Sequence, residues 1–315
     1  KKRKHQKVLE PAFTYSRDFK DHQEIVNQLN LIEKKTWTAK VYPQFESKSL
    51  RELNSFAGRK ASVKARSKGF SLIELATEDV SDLPKEFDWS DKLGKLREQK
   101  SCGSCYAFAT LQMLETRLKI KYNEDVTLSV QHAIDCSYYS QGCDGGLPYF
   151  LELYANQHEF VPESCSPYKG ENGHCSHCDV STLDKVYKAE NFKFIGGAYG
   201  KATQREMMIE VMNNGPIIAS FEPTNDFMYY GGGVYHSVDA EWLTKGKQKP
   251  EWEKVDHSVL LYGWGETETG LKYWKLRNTW GNDWGENGDF RMKRGVDESA
   301  IESLAEASDP VIVYR

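Results

Sequence analysis

The sequence predicts an α+β enzyme of two lobes, with helices first and strands later in its main domain. Three observations carry that expectation. After Cys105 the chain places Phe108, Leu111, Met113, Leu114, Leu118 and Ile120 in a stretch without Gly or Pro, which is a long, largely buried helix. Two further helices are expected, one after Ser129, a good N-cap, and one after Pro148. From Ile217 onward the pattern becomes short, apolar and β-prone: Ile217–Phe221, Ser258–Tyr262, Tyr273–Arg277 and Phe290–Lys293. Gly-rich turns separate these runs, among them Gly231-Gly232-Gly233 and Asn287-Gly288.

Residues 1–81 are of another character and the main domain covers 82–315, opening near Leu83-Pro84. The first segment holds no cysteine and is rich in Lys and Glu, and its Lys1-Lys2-Arg3-Lys4 start reads as a solvated end. The chain opens on Lys1 rather than Met, which reads as a processed product. Phe19, Ile25, Val26, Leu29 and Ile32 recur at the spacing of an amphipathic helix. Trp37 to Tyr42 reads as extended, and Leu50 to Phe56 as a second short helix stopped by Gly58. Residues 58–70 carry five basic and no acidic residues among small ones, and cannot fold alone. They are expected to be an exposed, easily cut segment, or an ordinary linker.

With 315 residues the chain has room for two domains, or for one large domain plus an appended segment. Apolar residues make up 39%, and 17 Tyr and 8 Trp argue against wholesale disorder. A net charge of -4 gives no electrostatic footprint for nucleic acid. No run of 18 apolar residues marks a membrane helix. All seven cysteines fall between Cys102 and Cys178, an odd and clustered set that suggests three disulfides and one free reactive thiol. Disulfides imply an oxidising setting: the secretory route, a lysosome-like vesicle or the cell exterior. The rival is zinc held by His174, Cys175, His177 and Cys178, although the further ligand pair of a structural site is not arranged around them.

The sharpest chemical signal is Cys102-Gly103-Ser104-Cys105-Tyr106, which fits the surroundings of a nucleophilic cysteine. At the start of the long helix, Cys105 meets the positive end of the macrodipole, which favours the reactive thiolate. His257, at the start of a strand in Asp256-His257-Ser258, is the candidate base. Asn278, in Asn278-Thr279-Trp280-Gly281, supplies an amide oxygen to orient the imidazole, and Trp280 can shield that bond from water. Gln99, six residues before Cys105, is the candidate oxyanion donor, with the Cys105 backbone N–H as the second. The competing readings are a buried structural cysteine, a core histidine and a surface glutamine. The order Cys, His, Asn joins three weak signals into one.

These residues resemble the papain family of cysteine peptidases, and within it the cathepsin C (dipeptidyl peptidase I) branch. The likeness runs from about Tyr15 to Ile312. It rests on Cys105-Tyr106, on Gln141-Gly142-Cys143-Asp144-Gly145-Gly146-Leu147-Pro148-Tyr149, on Trp284 to Arg291 and on Arg294 to Ser303. Upstream, Lys35-Thr36-Trp37-Thr38-Ala39 is similar to that branch's activation peptide. The resemblance implies a two-lobed papain-like fold, a helical lobe beside a β-barrel-like lobe, preceded by a pro-segment over residues 1–81. It implies Gln99, Cys105, His257 and Asn278 as catalytic residues. It pairs Cys102 with Cys143, Cys136 with Cys175, and Cys165 with Cys178. Gly145, Gly146, Tyr149, Trp280 and Leu304 would contact substrate, with Leu304 at the base of the S2 subsite.

Three departures stand out. The branch carries an N-terminal exclusion domain that binds the substrate's free amine, and this chain shows no counterpart, which leaves it cleaved off, supplied by another chain or a separate fragment, or missing from this product. The branch holds chloride near S2 through a Tyr hydroxyl, and here Phe194 stands at that place before Ile195-Gly196-Gly197. An Asp-Glu-Cys run becomes Asp297-Glu298-Ser299. The expected activity is peptide-bond hydrolysis through an acyl-enzyme over a mildly acidic range, removing N-terminal dipeptides from peptide or protein substrates. The alternatives are an open-cleft endopeptidase and an inactive scaffold on a peptidase fold. No metal, nucleic acid or membrane is expected; a homo-oligomer, and a lysosomal or secreted location, are in keeping with the branch.

Overall fold

A run of apolar residues with no polar face sets the longest helix at the centre of one lobe. The computed structural model describes residues 21–50, 52–53, 63–67, 78–175, 178–238 and 252–315, with 63–67 and 252–255 described as backbone. Helix α1 spans His22–Asn30 and α2 Cys105–Tyr122. Every residue of α2 from Cys105 to Leu118 is buried, so it packs on all sides. Its buried charged members are paired: Glu115 with Arg97 at 2.8 Å, and Arg117 with Glu210 at 2.9 Å. Arg117 also donates to the Pro216 carbonyl at 2.9 Å, which ties this helix to the second lobe. The helix ends at Asn123, whose φ of 54° is the left-handed cap that Asn tolerates.

Around α2 lie α3 (Val130–Cys136) and α4 (Pro148–Gln157), while α5 (Gln204–Asn214) packs on the sheet and reaches α2 through Glu210. Ser129 caps α3 by accepting the His132 N–H at 2.9 Å. Pro148 opens α4, where its missing N–H is not needed.

The second lobe is a sheet. In chain order the strands are β1 (Trp37–Ala39), β2 (Val63–Ser67), β3 (Phe87–Asp88), β4 (Lys185–Phe194), β5 (Ile217–Phe221), β6 (Tyr230–Tyr235), β7 (Trp252–Val255), β8 (His257–Glu266), β9 (Lys272–Arg277), β10 (Asp289–Lys293) and β11 (Leu304–Tyr314). The main sheet has the order β1-β6-β10-β9-β8-β5-β11-β4, with β3 beside β8. Its pairings are antiparallel except β6 with β10. The register sets Phe221 against His257 and Ser220 against Ser258. The architecture is the two-lobed α+β papain-like fold, a helical lobe beside a β-sheet lobe, with an N-terminal extension in keeping with a pro-segment.

The extension docks through its apolar residues. Helix α1 buries Ile25, Val26 and Leu29, and β1 joins the sheet edge at β6. Here the structure departs from expectation: Gly231-Gly232-Gly233 is not a turn but part of β6. The reason is close approach, since a Cβ on Gly233 would lie 2.8 Å from the Trp37 Cα of the strand above it. A second departure concerns residues 58–70. Within them, 63–67 form β2, paired antiparallel with β7 just upstream of His257. A segment too polar to fold alone gains backbone hydrogen bonds from a strand edge. Phe19 and most of the expected helix at Leu50 to Phe56 lie outside the described residues, although Leu50 and Leu53 are buried.

Candidate active site

The site forms where α2 begins, against the start of β8. Cys105 is the first residue of α2, after Ser104. The Ser104 hydroxyl is hydrogen-bonded to the Tyr168 hydroxyl at 2.8 Å rather than capping the helix. The backbone N–H groups of Cys105 and Tyr106, at the helix start, and of Ser258, in β8, approach the Cys105 thiol and favour its charged form. Burial opposes them more strongly, with Asp256 adding to it, and pushes the thiol up to about 11. The helix-start argument for a ready thiolate is therefore outweighed by desolvation at this buried position.

His257 is 1% exposed. Its Nε2–H donates to the Asn278 side-chain oxygen at 2.8 Å, because that oxygen only accepts. Nδ1 then carries the lone pair, and it has no hydrogen-bond partner. Burial lowers the imidazole to about 4, against the raising effect of Asn278. The ring stacks on Trp280 at 5.0 Å between centroids. Strand β9 delivers Asn278 one residue past its end, and the Asn278 oxygen also accepts the Thr279 N–H at 2.8 Å. Gln99 is fully buried. Its Nε2 donates to the Cys102 carbonyl at 2.9 Å, and its Oε1 accepts from the Thr279 hydroxyl at 2.6 Å. Thr279 thus links the Gln99 side chain to the Asn278 loop.

A slot of about 20 Å³ runs beside Cys105, lined in part by Gly145, Gly146, Pro148, Ser258 and Leu304. It has room for little more than one water. A Cβ on Gly146 would fall 2.8 Å from the Tyr106 ring, so this glycine is required by the packing beneath it. Trp280 lies outside the slot and lines a separate cavity of about 220 Å³, with Gln44, Phe45 and Lys48 of the extension on its other side. Phe45 meets the Trp280 ring edge-on at 6.3 Å, and the Gln44 amide donates to the Trp280 carbonyl at 3.0 Å. Tyr149 sits one layer back, in a cluster with Phe192 and Phe194.

The structure brings Cys105, Gly145, Gly146 and Leu304 to one slot and His257, Asn278, Gln99 and Trp280 beside it. Sequence reasoning missed Asp256, Ser258 and Ser220 in the lining. Adjacency to His257 marks the first two; Ser220 is found only through its register with Ser258. It also missed Tyr168, whose hydroxyl donates to the Gln99 carbonyl at 2.7 Å, and no sequence signal points to it.

Disulfides join Cys102 to Cys143, Cys136 to Cys175 and Cys165 to Cys178. Cys105 is the free, buried thiol. Cys175 and Cys178 are thereby withdrawn from the zinc alternative, and His177 lies outside the described residues. Chloride does not fit the surroundings of Phe194. Phe194 has no hydroxyl to donate, and its ring packs among those of Tyr149, Phe192 and Tyr199.

Residues 83–308 match the papain family cysteine protease model. Cathepsin C of Schistosoma mansoni is 35% identical over 292 residues, covering 88% of this chain and 63% of that protein. Dipeptidyl aminopeptidase 1 of Plasmodium falciparum is 30% identical over 315 residues, covering 74% of this chain and 45% of that protein. This chain therefore spans less than two thirds of either relative. Digestive procathepsin L 3 of Tenebrio molitor larval midgut shares the fold, with a TM-score of 0.73 at 24% identity over 93% of this chain and 90% of that one. With 226 consecutive residues matching the family pattern, the chain belongs to the papain family of cysteine proteases.

Proposed function

We propose that this chain is a cysteine peptidase that hydrolyses peptide bonds through an acyl-enzyme on Cys105. The observation that carries the reading is the Asn278 bond to His257 Nε2, which leaves the Nδ1 lone pair free beside the strand whose next N–H reaches the Cys105 thiol. Nδ1 takes the thiol proton, the sulfur attacks the carbonyl carbon, and the thioester bond forms as the amine leaves with that proton. Water, deprotonated by the same nitrogen, then releases the acid. Gln99 and the Cys105 N–H hold the oxyanion. Residues 1–81 act as a pro-segment, a role supported by the contacts of Gln44 and Phe45 with Trp280. Release of the segment exposes the pair to water, which lowers the thiol pKa and raises that of the imidazole.

The finer reading is removal of N-terminal dipeptides, supported by the likeness to the Schistosoma and Plasmodium proteins. A homo-oligomer is in keeping with that reading. Three disulfides support a lysosome-like or secreted setting. The test is cleavage, after limited proteolysis, of a dipeptide reporter with a free amine and of the same reporter acylated. Preference for the free amine supports the dipeptidyl reading. Equal or better cleavage of the blocked reporter makes this an open-cleft endopeptidase. Full activity in Cys105→Ala would refute the mechanism.

A further inference from the structure

Resting on the peptidase reading, we propose that Glu152 and Glu306 form the floor of the subsite beside Leu304, and that this floor selects a substrate side chain bearing an ammonium or guanidinium group.

Two elements carry lining residues into the slot, and each carries a carboxyl next on the same face. Pro148 lines the slot and opens α4; Glu152 is four residues on, one turn down that face. Leu304 lines the slot and opens β11; Glu306 is two residues on, about 7 Å deeper on that face. The two faces meet, since the Ser308 hydroxyl donates to Glu152 Oε1 at 2.6 Å. Leu304 packs with Phe194, and Phe194 opposes Glu306 across the strand pair. The carboxyls thus lie behind the apolar wall of the slot, at a depth that matches the stem of a Lys or Arg side chain.

The pair is not explained by packing. Glu152 is 1% and Glu306 2% exposed, yet Oε2 of each has no hydrogen-bond partner. Buried carboxyls are normally paired or fully hydrogen-bonded. The neighbouring cation is Arg117, but its N–H groups go to Pro216, Gly215, Ser308 and Glu210. Burial, and for Glu306 the second carboxyl, hold both acids above the usual range, Glu152 at about 8. They are therefore protonated until a cation arrives. As the cation seats, a carboxyl proton leaves to solvent and a carboxylate–cation pair remains. The rings of Phe194, Tyr149 and Tyr199 around the approach also favour a cation over an anion. The slot of about 20 Å³ is too small for a side chain, so a seated cation reaches the floor by displacing the Leu304 and Phe194 side chains in front of it.

The test uses the full chain activated by limited proteolysis. Two reporters differ only at the residue seated in this subsite, one with lysine and one with its uncharged near-isostere norleucine. The expected ratio of kcat/KM, lysine over norleucine, is above ten, and it falls at least tenfold in Glu306→Gln and in Glu152→Gln. If a Gln variant does not fold, Glu306→Asp, which keeps the acid but shortens it, must lower the ratio as well. A ratio below one in the unaltered chain, or one unchanged in the folded variants, overturns the proposal. Cleavage of neither reporter, with Cys105 inert to a peptidyl electrophile, is instead the failure of the peptidase reading, and this proposal falls with it.

Discussion

The imidazole of His257 is held from one side only: Nε2 bonds to Asn278 at 2.8 Å, while Nδ1 is buried without a partner. That asymmetry fixes the tautomer and so decides which nitrogen can act as base. Removing the Asn278 oxygen leaves a buried N–H unpaired, at a cost of about 1–3 kcal/mol. Asn278→Ala is expected to lower kcat roughly 10- to 100-fold with little change in KM. A variant whose kcat stays within twofold would show that the amide does not orient the ring.

The pH dependence of folding stability follows from the same residue. His257 sits at about 4 against an ordinary 6.5, so between those values the unfolded chain binds more protons than the folded one. Its contribution to stability is complete above about 6.5 and is lost as pH falls through 4, about 3 kcal/mol in all. Cys105 acts at the other end, since a thiol raised to about 11 keeps its contribution below 9 and loses it as pH rises through 11. Urea midpoints of the full chain between pH 4 and 7 are expected to drop on acidification, and His257→Gln is expected to flatten that slope. An unchanged slope in the variant assigns acid sensitivity to other groups.

Gln99 is predicted to matter to the transition state rather than to substrate binding. One oxyanion donor contributes about 3 kcal/mol, so Gln99→Ala should cost roughly 100-fold in kcat at similar KM. Steady-state kinetics on a single reporter decide this. The structural cost is separable, because the Thr279 hydroxyl also loses its acceptor. Gln99→Ala with Thr279→Val removes both partners and should recover stability without recovering kcat.

The contacts of the extension with Trp280 make a further prediction. Phe45 is 2% exposed and packs against both Trp280 and Tyr42. Phe45→Ala removes a buried ring at a cost of about 3 kcal/mol or more. In the intact chain, labelling of Cys105 by a peptidyl electrophile should then rise by roughly two orders of magnitude at pH 6. Unaltered labelling would mean that this contact does not hold the cleft closed.

What the sequence makes legible depends on how local each signal is. The helix after Cys105 is legible because its apolar run has no Gly, no Pro and no polar face. Strands β5, β9 and β10 are legible as short apolar runs between turns. Strand β4 is not, since Lys185 to Phe194 mixes charges with apolar residues and owes its shape to β11. Glu306 hides β11 in the same way, by placing an acid in a buried strand. Gly231 to Gly233 mislead because three glycines signal a turn, whereas their missing side chains admit β1. At the site, Cys105, His257 and Asn278 each carry telling neighbours. Ser220 and Tyr168 do not, because register and tertiary packing alone bring them there.

Gly146 offers the sharpest separation of packing from chemistry. Its absent side chain leaves room for the Tyr106 ring, which a Cβ would approach to 2.8 Å from two ring carbons. Tyr106 is fully buried and hydrogen-bonded to the Gly142 carbonyl at 3.2 Å, so it cannot swing away. Gly146→Ala should therefore destabilise the chain by about 1–3 kcal/mol. If the clash is the cause, Gly146→Ala combined with Tyr106→Leu should be more stable than the sum of the two single changes by at least about 1 kcal/mol. Thermal or urea unfolding of the four proteins measures this coupling. Were the glycine needed only so that a substrate backbone can approach, the two effects would add, and kcat/KM alone would suffer in Gly146→Ala.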